Sequence, residues 1–182
     1  GEAGAGKTSV LQELVRSQAI AYAHGQSQNL YLYINAQGRA LARFTEAVAA
    51  ELDELRSPLT FHQVVPLARL GLIVPVIDGF DELLGVGGYG EAISSIAAFV
   101  DDLYGEGQII AASRSTYYEQ EFLSRTSRQR ESEGLAWHLT SVRVLDWGAS
   151  EVEKFVRDRC REKQLESART EVVFKHVLTA FS

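Results

Sequence analysis

Methionine is absent from this 182-residue chain, even at its first position, cysteine occurs once and proline three times. With Cys160 alone no internal disulfide can form, so packing has to hold whatever core the chain closes. The missing initiator methionine leads to the expectation that the sequence is a segment of a longer protein. No apolar run reaches the about 18 residues of a membrane span or follows the plan of a signal peptide, so no membrane partner is expected and the cytoplasm is the default compartment. Basic residues are outnumbered, 18 Lys and Arg against 24 Asp and Glu, for a net charge of -6. That balance argues against direct nucleic-acid binding, which rests on many cationic contacts to phosphates. Histidines are four and scattered, at 24, 62, 138 and 176, with no metal-ligand spacing among them.

What is present is a globular composition, 46% hydrophobic and 23% charged, enough for one sizeable core and the beginning of a second unit. Helical and strand patterns alternate without internal repeats, which predicts an α/β fold around a mostly parallel sheet. Val10, Leu11, Leu14, Val15 and Ala19 recur at helical spacing from Lys7 to about His24, and Gly25 is placed to stop that helix. Leu30 to Ile34 reads as a strand buried on both faces. Helices are expected at about 39–55 and 61–70, a second strand over Leu72–Ile77, a Gly-rich turn over Gly85–Gly90 and a helix at about 91–104. Pro75 has no N–H for a ladder, so regular pairing is expected to begin at or just after it. Gln108–Ala112 and His138–Leu145 read as further strands, with a polar, Arg-containing stretch between them from Ser115 to Gly134. Ser150 and Glu153 have capping-box spacing ahead of the apolar Val152, Phe155 and Val156, and a last helix is expected at about 169–181.

Three short elements carry chemistry. Gly1-Glu2-Ala3-Gly4-Ala5-Gly6-Lys7-Thr8 matches the phosphate-binding pattern GxxxxGK followed by Thr and opens directly onto a helix, with Ser9 next in line. Glycines let the backbone turn its N–H groups inward around an anion, the helix end adds partial positive charge, Lys7 neutralises β and γ phosphates, and the Thr8 hydroxyl is placed to ligate Mg2+. Gly1, Gly4, Ala5, Gly6, Lys7, Thr8 and Ser9 are therefore the expected nucleotide-binding residues. The second element, Val76-Ile77-Asp78-Gly79-Phe80-Asp81-Glu82, ends an apolar strand in three carboxylates. Asp78 at the strand end suits Mg2+ held through its water shell, and Asp81 and Glu82 suit orienting or deprotonating an attacking water. The third, Ile109 to Arg114, is a strand that ends in a serine and an arginine able to reach a γ-phosphate.

Together these residues resemble the NACHT family of signal-transduction P-loop NTPases. The resemblance rests on Gly1 to Thr8, on the Asp78-Gly79-Phe80-Asp81-Glu82 spacing and on Ser113-Arg114, and it runs from position 1 to about 160. It implies a three-layer P-loop NTPase core with RecA-like strand order over residues 1–147, whose first strand would precede Gly1, and the start of a small helical lid domain over 148–182. It also implies ATP and Mg2+ as cofactors, metal support from Thr8 and Asp78, hydrolytic roles for Asp81 and Glu82, and a γ-phosphate sensor in Arg114. The implied function is a slow, ATP-hydrolysing regulatory switch in an innate-immune or antiphage-type signalling protein. Effector and sensor domains would lie elsewhere in the same chain, and nucleotide state would control homo-oligomer formation. A nucleotide-binding assembly scaffold with negligible turnover and an AAA-type remodelling ATPase are the alternatives. Arg125, Arg128 and Arg130 read as a solvated basic face, Cys160 as a small buried apolar residue, and Trp137 and Trp147 as packing residues.

Overall fold

The computed structural model describes residues 5–36, 44–82, 89–117, 119, 138–145, 147–162 and 171–172. The expected helix start near 39, the turn over 85–88, Trp137, the arginines at 125, 128 and 130, and nearly all of the helix expected at 169–181 lie outside those residues. The chain divides into two compact units, Gly1–Val144 and Leu145–Ser182.

In the first unit α1 (Lys7–Ala23) leads to β1 (Leu30–Asn35), then α2 (Phe44–Glu54), α3 (Phe61–Arg69) and β2 (Ile73–Asp78). A 3-10 turn (Phe80–Glu82), α4 (Tyr89–Asp102), β3 (Ile110–Ala112) and a short helical turn α5 (Ser115–Tyr117) follow. The fold is α/β. The three strands among the described residues are all parallel in the order β1-β2-β3.

The two faces of the sheet follow from the two-residue period of a strand. Leu32, Ile34, Ile73 and Ile77 pack with Phe44, Ala47, Val48, Leu52, Val64, Ala68, Ile96 and Phe99 of α2, α3 and α4 in one apolar cluster. Tyr33, Val74, Val76 and Asp78 have the opposite parity, and α1 lies against β1 and β2 on that side. Of the apolar positions of α1, only Leu11 is buried, while Val10 and Leu14 are exposed. α3 begins with a capping box that the sequence reading missed, the Thr60 N–H donating to Gln63 Oε1 at 2.8 Å.

Pairing does not wait for Pro75; the β1–β2 ladder runs from Ile73 through Asp78. The Leu30 N–H donates to the Leu72 carbonyl and the Ala36 N–H to the Asp78 carbonyl, so even-numbered β2 residues bond towards β1 and odd-numbered ones towards β3. Pro75 thus turns its missing donor to the β3 side and costs the β1 ladder nothing. The same geometry explains why β3 is shorter than the expected Gln108–Ala112: pairing with β2 begins at Val76 and Ile110, one step beyond the proline.

Odd-numbered β1 residues face the outer edge of the sheet, where the buried Glu51 of α2 accepts the Asn35 N–H at 3.0 Å. Glu51→Ala leaves that donor without its acceptor, so it is expected to cost about 1–3 kcal/mol, read as a lower urea midpoint at unchanged slope. An unchanged midpoint would mean that solvent serves the N–H equally well.

His138–Leu145 carries no strand, and Val142 is 87% exposed. Alternation indicates which face a strand would bury; it does not say which sheet edge receives it.

In the second unit, α6 (Ala149–Glu162) buries Val152, Val156 and Cys160 at four-residue spacing. Phe155, expected on that face, is exposed and instead stands against Trp147, ring centroids 5.1 Å apart. The expected Ser150–Glu153 capping box is not formed. The helix begins at Ala149, which places Ser150 inside it, where its hydroxyl donates to Glu151, and Glu153 pairs with Arg157 one turn on.

Candidate functional site

α1 runs antiparallel to β1. Gln18, in the C-terminal half of the helix, donates to the Asn29 carbonyl at the start of β1 (3.2 Å), and a short connection from Ala23 to Leu30 turns the chain back so that α1 packs along β1 and β2. The N-terminus of α1 therefore lies at the carboxyl ends of the strands, where open α/β sheets place their ligands. Gly6 stands immediately before the helix with φ 85°, a left-handed conformation that favours glycine, and its carbonyl accepts the Val10 N–H. Ala5, Gly6, Lys7 and Thr8 are partly buried and Ser9 is exposed; Gly1 and Gly4 lie outside the described residues. A helix N-terminus that follows a left-handed glycine and has a lysine as its first residue is an anion-binding arrangement.

At the same end of the sheet Asn35, Asp78 and Ala112 stand in register, one from each strand. Asp78 is 1% exposed, and its Oδ2 accepts the Tyr33 hydroxyl at 2.8 Å. Burial, then the bond and charge of Asp78, push the Tyr33 hydroxyl up to about 12, so it stays a donor throughout the physiological range.

The chain then turns sharply. Gly79 has φ 77°, again left-handed, and the Glu82 N–H returns to the Gly79 carbonyl at 2.8 Å to close the 3-10 turn. Phe80 anchors the turn in the apolar cluster beneath α2 and α4. Asp81 is thereby buried, and Glu82 is half-exposed beside it. Each residue type in Asp-Gly-Phe-Asp-Glu thus has a local reason: strand end, left-handed turn, anchor, and two carboxylates held at the sheet's rim.

Arg114, two residues past β3, reaches both carboxylates. Its Nε lies 3.3 Å from Asp81 Oδ2, its Nη2 2.9 Å from Glu82 Oε1, and its backbone N–H donates to Asp81 Oδ1 at 3.3 Å. The guanidinium is half-exposed, so its pairing with Glu82 contributes little to stability, but it fixes where both carboxylates stand. The structure therefore brings Asp81, Glu82 and Arg114 into one cluster. Sequence reasoning missed Tyr33 and Glu51.

Compared with protein-family models and with curated proteins, the chain matches none.

Among the described residues no three His, Cys, Asp or Glu side chains gather as a metal cage. Mg2+ asks for less: it keeps several waters and is bound through one or two protein oxygens plus substrate phosphates. A buried carboxylate at the strand ends and a threonine hydroxyl on the first turn of α1 fit that donor set. Nor is any helix among the described residues long and apolar enough to cross a membrane.

Proposed function

We propose that this chain is the nucleotide-binding core of a NACHT-like regulatory ATPase. The observation that carries the reading is the antiparallel course of α1, which directs the helix start bearing Lys7 and Thr8 to the sheet end occupied by Asp78, Asp81, Glu82 and Arg114. In this reading the backbone from Gly1 to Ser9 wraps the phosphates, and Lys7 neutralises the β and γ groups. Thr8 and Asp78 would hold Mg2+, Asp78 through a water. Bound there, the metal would offset charge on the β and γ oxygens. Glu82, with Asp81, would orient or deprotonate the attacking water.

Arg114 gives the site a means of reporting its contents. The guanidinium that now bridges Asp81 and Glu82 would turn to a γ-phosphate when one arrives, because a multiply charged phosphate competes well for a planar cation. ATP then favours an open, oligomer-forming state, and hydrolysis resets it. Effector and sensor domains of the same longer protein would read that state, in an innate-immune or antiphage setting.

The same Arg114 pairing supports a second reading, a scaffold that binds nucleotide and turns over negligibly, since both candidate bases are engaged by a cation. Phosphate release from ATP and Mg2+ by the full-length protein separates the two. In the enzyme reading Glu82→Gln retains nucleotide and loses about 10²–10⁴-fold in turnover, the usual contribution of a positioned base. Equal release by wild type and variant, with assembly intact in both, overturns hydrolysis as the function and leaves the scaffold.

A further inference from the structure

We propose that Tyr33 is a positioning residue for Asp78, holding one carboxylate oxygen so that the other is presented to a hydrated divalent cation. The inference rests on the metal–nucleotide reading above and goes beyond it, because the residue lies on a different strand from every motif that led to that reading. Tyr33 pairs in register with Val76, so from β1 its ring shares a face with Asp78 two residues on, and its hydroxyl donates to Asp78 Oδ2 at 2.8 Å. Oδ1 accepts no hydrogen bond from another described residue. A carboxylate buried to 1% exposure and held at one oxygen has little freedom to turn.

The hydroxyl is carried on β1, against which the helix bearing Lys7 and Thr8 packs, and in this reading it touches neither metal nor nucleotide. Outer partners of this kind orient metal-binding groups, and removing one typically costs about 10–100-fold in metal affinity.

Tyr33→Phe deletes one oxygen and keeps the ring. The measurement is Mn2+ affinity of the full-length protein with ADP, followed by electron paramagnetic resonance, beside ADP affinity without metal and thermal melting. The expected result is about a tenfold weaker Mn2+ affinity, with metal-free ADP affinity close to wild type and a lower melting temperature, since a buried carboxylate loses a hydrogen bond. In an Asp78→Asn background the same substitution should add nothing further, since the two act as one unit. Unchanged Mn2+ affinity in Tyr33→Phe overturns the inference while leaving the metal site in place. So does a loss that persists undiminished in the Asp78→Asn background, or a lowered melting temperature with metal affinity retained, which would assign Tyr33 to the fold. Failure of the wild type itself to bind Mn2+ with ADP removes the metal–nucleotide reading and this inference with it.

Discussion

Lys7→Ala is expected to weaken ATP binding by about two orders of magnitude or more, in line with the loss of a fixed charge aimed at phosphoryl oxygens. Lys7 is the first residue of α1 and is partly buried. In the proposed site its ammonium would add a full charge where the helix supplies only partial ones, and the two would act on the same anion. Removing the first leaves backbone donors that remain in place but do not neutralise a triphosphate. Calorimetric titration with Mg2+·ATP and with ADP reads the effect directly, and both affinities should fall because the β-phosphate is common to them. Melting temperature should stay near that of wild type, since the buried residue of α1 is Leu11, one turn further on, and not Lys7. An affinity within threefold of wild type would leave the anion to the backbone alone and remove Lys7 from the site. Lys7→Arg is expected to recover part of the binding at best, its broad planar head replacing a compact ammonium.

Phe44→Ala is expected to cost about 3–5 kcal/mol of stability, the range for a phenylalanine removed from a close-packed core. Phe44 is wholly buried, with the Phe99 ring centroid at 4.7 Å and that of Phe61 at 6.5 Å edge-on. One side chain from α2 thus joins α3 and α4 over the sheet. Its loss opens a cavity that three separate elements would have to move to fill, and such sites collapse poorly. Since single domains are stable by about 5–15 kcal/mol in all, the variant should unfold at much lower urea concentration. Phe44→Leu, which keeps most of the volume, should lose far less. A small effect of Phe44→Ala would show that the three helices repack freely and that the aromatic cluster is not the centre of the core.

How much of this was legible in the sequence depended on whether a residue's role is local. The first helix, the strand from Leu30 and the strand ending at Asp78 were readable because their patterns are periodic and punctuated by Gly25 and Gly79. The Asp-Gly-Phe-Asp-Glu turn was readable for the same reason, each residue answering to its neighbours. Register was not. Tyr31 and Tyr33 were absorbed into an apolar run, and nothing in that run says that the second hydroxyl stands beside a carboxylate 45 positions away. Glu51 looked like one more charged residue on a helix, yet it closes the edge of β1. The pattern at His138–Leu145 suggested a strand where the structure has none, since pairing is settled between segments and not within one. Arg114 lay between: its distance from a strand end was visible, its grip on Asp81 and Glu82 was not.

Pro75 bears on how the sheet comes to be assembled with only one alignment. Three residues of β3 make a short ladder, and short ladders slide easily during folding. Sliding β3 two places towards the start of β2 would set it against a residue with no proton to give, so that alignment loses a hydrogen bond that the native one keeps. The proline thereby acts as a stop against misalignment, and Ala112 comes to rest level with Asp78. Pro75→Val would restore the donor and make the wrong alignment cheaper, favouring β-structure in the native chain but ambiguity in the folding one.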